Sequence, residues 1–257
     1  MSLSYLHNET LNVYSHLAGL VLLFPFIFIL FYFGMPAVKS TLIYDVLAFW
    51  SFLIGLIACL LCSTIFHLFT CHSEEVSHCC NKFDYVGIVF LEVGSFIATI
   101  YYGFYCDNFY RQLYISSILL IGGLTIYIMI SPKYSLQKYK NLRALIFTLL
   151  GCLGIIPGLH HILKYGIKMS FDSFALPYLL LMAFFYLFGV FVYTAFIPER
   201  WSPGKFDIIG HSHQIWHVCV LAAASFHFWG LYRMYLWWHN NNSDCSISDH
   251  LMISRYN

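Results

Sequence analysis

Seven apolar stretches follow one another along the chain, each close to the roughly 20 residues that a membrane-spanning helix needs. They cover residues 13–33, 42–66, 85–105, 113–130, 145–163, 174–196 and 215–238. Short polar breaks separate them. Gly34-Met35-Pro36 is read as the stop of the first, because Pro disfavours helical backbone in the residue before it. Cys106-Asp107-Asn108, Ser131-Pro132-Lys133 and Ile197-Pro198-Glu199-Arg200 end the third, fourth and sixth. The stretches lack the alternation of a membrane barrel, and a spanning helix satisfies its own backbone hydrogen bonds. The pattern therefore predicts an all-α integral membrane protein with seven transmembrane helices. Residues 1–12 form a short opening segment, 13–238 the membrane domain and 239–257 a tail.

Composition agrees. Only 10% of the 257 residues are charged and 60% are hydrophobic, against roughly 25% charge in ordinary soluble domains. Mean hydropathy is +0.72. The 25 Phe and 20 Tyr suit spans and their interfacial belts. A net charge of +1 gives no support for nucleic-acid binding, which shows a strongly basic patch. The first ten residues carry no basic region, so the first apolar run reads as a span and not as a cleaved signal peptide.

Seven spans put the termini on opposite sides. The N-terminal side collects seven cations (Lys82, Lys133, Lys138, Lys140, Arg143, Arg200, Lys205) and the other side six (Lys39, Arg111, Lys164, Lys168, Arg233, Arg255). By the positive-inside rule this favours a cytosolic N-terminus and a C-terminus outside, in a multi-pass protein of the plasma membrane or an endomembrane. The chain has 9 Cys, and Cys59 and Cys62 stand with two residues between them inside an apolar run. Those inside apolar runs, such as Cys59, Cys62, Cys152 and Cys219, read as small buried hydrophobes. Cys106 and Cys245 fall on the outer side, where they could pair. Asn8-Glu9-Thr10 and Asn241-Asn242-Ser243 read as N-glycosylation acceptors, the first unused if cytosolic.

Ionisable groups are costly inside a membrane and are functional candidates there. Ser63 and His67, four apart on one helix face, end the second span. Asp84 opens the third. His213 and His217, again four apart, open the seventh. The second span returns to the N-terminal side, and the third and seventh start from it. All five residues should thus lie at one depth near one membrane face. Two histidines on one helix face arise by chance in a chain with 13 His, and can be a buried pair satisfied by hydrogen bonds. The addition of His67 and Asp84 at the same level favours a metal. Zinc takes imidazole nitrogen and carboxylate oxygen, and catalytic zinc keeps one position open. His67, His213 and His217 would be the ligands. Asp84 would hold a water at the open position or support a ligand, and Ser63 would steady either. Imidazole also suits iron and other divalent ions.

Other polar residues are less specific. His160 and His161, late in the fifth span, are read either as lining a cavity or as bonded to backbone. His227 lies about 15 Å deeper than His217 by helical rise and suits helix packing. Glu92 should face the bundle. His72, His78 and His211 read as solvated, and Glu9 and His16 as structural pairing near the N-terminal face. Pro25, Pro157 and Pro177 read as kinks.

The motifs carry a resemblance. Asn8-Glu9-Thr10-Leu11-Asn12-Val13-Tyr14-Ser15-His16, Ser63-Thr64-Ile65-Phe66-His67, Phe83-Asp84-Tyr85-Val86-Gly87-Ile88, Gly94-Ser95-Phe96 and Tyr101-Tyr102-Gly103-Phe104-Tyr105-Cys106 occur in that order. The most specific runs follow, Ile197-Pro198-Glu199-Arg200-Trp201-Ser202-Pro203-Gly204-Lys205-Phe206-Asp207 and Gly210-His211-Ser212-His213-Gln214-Ile215-Trp216-His217. From Asn8 to about Tyr232 the chain resembles the progestin and adipoQ receptor family, or haemolysin-III-related proteins. The wording is closest to the adiponectin-receptor and fungal zinc-homeostasis branch. The resemblance implies seven helices with a cytosolic N-terminus, and zinc on His67, His213 and His217 with Asp84 and Ser63 beside it. It also implies a lipid cavity and ceramidase-like hydrolysis releasing a fatty acid. The expected partners are the membrane, a lipid of the ceramide or fatty-acid class and an extracellular ligand. The alternative is a non-enzymatic receptor for a protein hormone or steroid, with structural zinc. A pore-forming role suggested by the haemolysin name finds no continuous line of charge through the spans. The long N-terminal extension of the animal receptors has no counterpart here, and the run from His239 matches no family motif.

Overall fold

The computed structural model describes residues 5–35, 38–134, 136–240 and 245. Among these, seven helical stretches are long and apolar enough to cross a membrane. α1 spans Thr10–Ile29 and continues through a π-helical turn, Leu30–Gly34. α2 is Ile43–Phe69, α3 Glu74–Gly103 and α4 Asn108–Ile130. α5 (Lys140–Cys152) and α6 (Ile155–Tyr165) together make the fifth crossing. α7 is a short outer helix, Ile167–Asp172. α8 (Leu176–Ala195) and α9 (Ser212–Asn240) complete the bundle.

The bundle is assembled around two close pairs, α2 with α3 and α8 with α9. Glycine allows the first. A Cβ on Gly94 would lie 2.1 Å from the Ser51 carbonyl oxygen, and one on Gly55 2.3 Å from that of Phe90. In lipid, helices associate through such close backbone contact, because apolar side chains gain little by leaving the acyl chains. Phe49, Phe52, Leu53 and Leu60 of α2 fill the centre with Leu231, Met234 and Tyr235 of α9, all 0–1% exposed. The outer surface is apolar: Leu120, Tyr127 and Leu163 are 72–85% exposed. That inverts the pattern of a water-soluble protein and matches a lipid-facing exterior.

Several expectations need correcting. The third helix starts at Glu74, not at the edge of the apolar run, because Ser73 accepts from the Val76 amide and caps it. Asp84 therefore lies within α3. Its 30 residues span about 45 Å at 1.5 Å each, more than the hydrocarbon core, so a polar end projects from the N-terminal face. Pro177 stands in the first turn of α8, where its missing N–H costs nothing, and does not kink a span. Pro157, by contrast, does mark a break: it lies in the first turn of α6, four residues after Leu153, and the fifth crossing is interrupted at Leu153–Gly154. Pro25 is inside α1. His239 belongs to the last turn of α9, so the tail begins later than residue 239. A disulfide joins Cys106, just beyond α3, to Cys245. The acceptor at Asn241 and the rest of the tail lie outside the described residues.

Candidate metal centre

Ser63 and His67 face inward from the last two turns of α2, both buried. His213 and His217 face them from the first two turns of α9. The three imidazoles converge so that one ring nitrogen from each lies within 4.8 Å of the others. The Nε2 atoms of His67 and His213 are 3.3 Å apart. Two nitrogen ligands on a tetrahedral ion, with bonds of about 2.0–2.1 Å, stand about 3.3–3.4 Å apart, so the His67–His213 pair has the spacing of two ligands on such an ion, and His217 completes a three-imidazole donor set. Asp84 is buried alongside, hydrogen-bonded to the Ser63 side chain and within the electrostatic field of His67. It is not one of the three convergent donors.

The start of α1 orients the rings. Glu9 Oε2 is 2.7 Å from His67 Nδ1. A carboxylate only accepts, so Nδ1 carries the proton and the Nε2 lone pair points into the cluster. Asn12 Nδ2 donates to the same Glu9 oxygen at 2.7 Å. Burial alone would raise the Glu9 carboxyl, but the His67 and Asn12 hydrogen bonds hold it below the usual carboxylate range. On the other ring, Ser15 Oγ donates to the Asn12 carbonyl (3.0 Å) and so accepts from His217 Nδ1 (3.2 Å). This leaves His217 Nε2 free to accept. His16 stacks on His217 with centroids 3.8 Å apart. Metal-binding histidines ordinarily have this kind of outer partner on the second ring nitrogen.

These contacts were missed in part by sequence reasoning. Glu9 and His16 pair with the histidine trio, not simply with one another. The available signal was spacing: Glu9, Asn12 and His16 are three and four apart, one polar face at the mouth of an apolar helix. His211, expected to be solvated, lies 3.0 Å from the Asn8 carbonyl and ties the opening segment down. Gln214 reaches the same carbonyl at 3.3 Å. Glu199, inside the most specific motif, accepts from the Ser212 amide (2.8 Å) and hydroxyl (2.7 Å) and thus fixes the first turn of α9 just before His213. A cavity of about 300 Å³, lined by Tyr5, His7, Asn8, Glu9, His67 and Thr70 among others, opens from the N-terminal face onto His67.

The remaining polar residues lie elsewhere. His160 Nδ1 is 2.8 Å from the Tyr114 hydroxyl, and His161 Nδ1 is 2.8 Å from Ser170 Oγ. His227 packs edge-on against Phe52 at 4.7 Å. Glu92 points towards Gly151, with one oxygen lacking a hydrogen-bond partner among the described residues. His72 and His78 are near the surface beyond the trio, His78 within 3.6 Å of Glu74.

Residues 4–228 match the family model described as Haemolysin-III related. The chain is 38% identical over 234 residues to the adiponectin receptor protein of Drosophila melanogaster, covering 91% of this chain and 52% of that one. It is 38% identical over 229 residues to progestin and adipoQ receptor-like protein 1 of Caenorhabditis elegans, covering 89% and 52%. Heptahelical transmembrane protein 1 of Arabidopsis thaliana is 39% identical over 227 residues, covering 86% and 68%. The chain thus spans about half the length of the first two relatives.

Proposed function

The chain belongs to the haemolysin-III-related family, and we propose that it is a membrane-embedded zinc amide hydrolase acting on ceramide-like lipids. The observation that carries this is the convergence of His67, His213 and His217, with Nε2 atoms of two of them 3.3 Å apart, beside the Asp84–Ser63 pair. The three imidazoles would hold the ion. When bound, it polarises a carbonyl and makes a nearby water more acidic. Asp84 would take the proton from the attacking water and deliver it to the leaving amine as the carbon–nitrogen bond breaks. The products are a fatty acid and a long-chain amine. Ser63 would hold the Asp84 carboxyl in place, and Glu9 would keep His67 in the tautomer that points Nε2 inward. A lipid amide would arrive from the bilayer, and water would enter through the cavity lined by Glu9 and His67. The Cys106–Cys245 disulfide supports placing the C-terminal face outside and the N-terminus in the cytosol, because disulfides persist in oxidising compartments.

The test is metal content and ceramide turnover on purified protein. The native chain should carry about one zinc per chain; His213→Ala with His217→Ala should lose metal and turnover together. Asp84→Asn should keep the metal and lose turnover by about a hundredfold or more. Undiminished turnover in Asp84→Asn would remove Asp84 from its role.

A second reading, a ligand-activated receptor with structural zinc, is favoured by the names of the insect and nematode relatives. Stoichiometric zinc with no turnover of any ceramide would select it. A ligand acting from outside must then bind two helix arrangements unequally.

A further inference from the structure

At the face opposite the histidine trio, the end of α9 meets the start of α2. Asp45 is fully buried there and holds the Leu42 amide on Oδ2 at 2.7 Å. The same oxygen lies 3.0 Å from His239 Nε2. Tyr101 donates to the other oxygen at 3.3 Å. The His239 side chain is fully buried, and its Nδ1 lies 2.8 Å from Ser40 Oγ. Ser40 itself is exposed, in the turn before α2.

The protonation pattern follows from the partners. An ionised Asp45 can only accept, so His239 carries its proton on Nε2. In the neutral form of the ring Nδ1 is then the lone pair, and the Ser40 hydroxyl donates to it. An exposed hydroxyl, a neutral imidazole that takes its proton and a buried carboxylate behind the imidazole are the parts of an activated nucleophile, recognised by geometry and not by order in the chain. Here the ring nitrogens exchange their usual duties, which imidazole chemistry permits. Asp45 precedes His67 by 22 positions in α2, about 33 Å along the axis, so this constellation is separate from the trio. Leu42, Ile43 and Tyr44 beside Ser40 are exposed, which sets the hydroxyl at the rim of a lipid-facing surface.

We propose that Ser40, His239 and Asp45 form a second, serine-type hydrolytic centre that takes acyl esters of lipids at the outer interface. Ser40 Oγ would attack the ester carbonyl carbon while its proton passes to His239 Nδ1. Asp45 would stabilise the imidazolium through Nε2–H. The bond to the alcohol oxygen breaks, and the alcohol leaves with the proton from Nδ1. Water, giving its proton to Nδ1, then attacks the acyl–Ser40 ester. The acid departs and Ser40 regains its hydrogen, so the net change is ester plus water to acid plus alcohol. This proposal does not depend on the zinc reading.

The experiment uses the full chain in lipid nanodiscs with a fluorophosphonate probe, and locates the adduct by peptide mass spectrometry. The native protein should be modified on Ser40, and Ser40→Ala, which removes the hydroxyl bonded to His239 Nδ1, should not be modified. His239→Gln should slow the labelling about a hundredfold or more. Ser225→Ala, which removes an exposed hydroxyl elsewhere on α9, should label at the native rate. A hydrogen-bonded latch without nucleophilic function gives no Ser40 adduct in the native chain, and that result overturns the proposal. So does a folded His239→Gln variant labelled as fast as native.

Discussion

Glu9 is the single side chain whose loss best separates ring orientation from metal ligation. It accepts from His67 Nδ1 at 2.7 Å, and outer partners of this kind are worth about 10–100-fold in metal affinity. Glu9→Ala should weaken zinc binding by that factor in competition with a chelator, and Glu9→Gln, which keeps an acceptor but loses the charge, by less. Native affinity in Glu9→Ala would mean that packing alone orients His67. The five central residues were legible in the sequence, because a spacing of four and an odd or even number of crossings suffice to bring them to one level. The role of Glu9 was not. It meets His67 across 58 residues, and Ser15 meets His217 across 202. Such contacts depend on how α1 is rotated about its axis, which apolar content does not specify when the helix faces lipid on most sides. His239 was hidden differently: read as part of a tail, it is the last inward-facing residue of a helix that outlasts its apolar run.

The apolar runs located every crossing because lipid demands a continuous apolar surface of fixed length. They misplaced what lies beyond the lipid, where that demand ends. The polar first turns of α3, the short α7 and the interruption between α5 and α6 carry no hydropathy signal. Capping governs these ends, and it governs the site through α9. Glu199 holds the Ser212 amide and hydroxyl; loss of a helix cap costs about 1 kcal/mol. Burial would raise the Glu199 carboxyl, but Ser212 and nearby His211 hold it below the usual carboxylate range. Its contribution is therefore fully present above the unfolded carboxylate pKa and disappears as pH falls through the lower, folded value. Thermal unfolding of native and Glu199→Gln protein should differ at neutral pH and converge in acid; a constant gap down to acid would show that the carboxylate charge is irrelevant. Closer to the bundle centre, Gly94→Ala should lower stability and loosen the site together. Its Cβ would fall 2.1 Å from the Ser51 carbonyl, so α2 and α3 must part, and those two helices carry Ser63 and Asp84. Native stability in Gly94→Ala would show that the pair can slide apart without cost.

The backbones of the two close helix pairs stay apart, joined by core side chains of α2, α3 and α9, and α1 lies against both α2 and α9. The histidine trio lies across that seam, one ring from α2 and two from α9. An ion held there would tie the pairs together, whether or not it also turns over a substrate. Anything that binds only the folded state stabilises it by mass action, by about 4 kcal/mol when its free concentration exceeds Kd a thousandfold. Stripping the metal with a chelator should therefore lower the unfolding temperature of the native chain, and zinc should restore it. His213→Ala should start from the lower value and respond to neither treatment. The opposite seam end has its own tie, His239 to Asp45 and Ser40, so metal loss should free the N-terminal face first. Hydrogen exchange should then rise in the first turns of α9 and the last turns of α2, and stay low around Asp45. Unchanged unfolding after verified metal removal would show that α1 and the packed core hold the pairs without the ion, leaving the trio to chemistry alone.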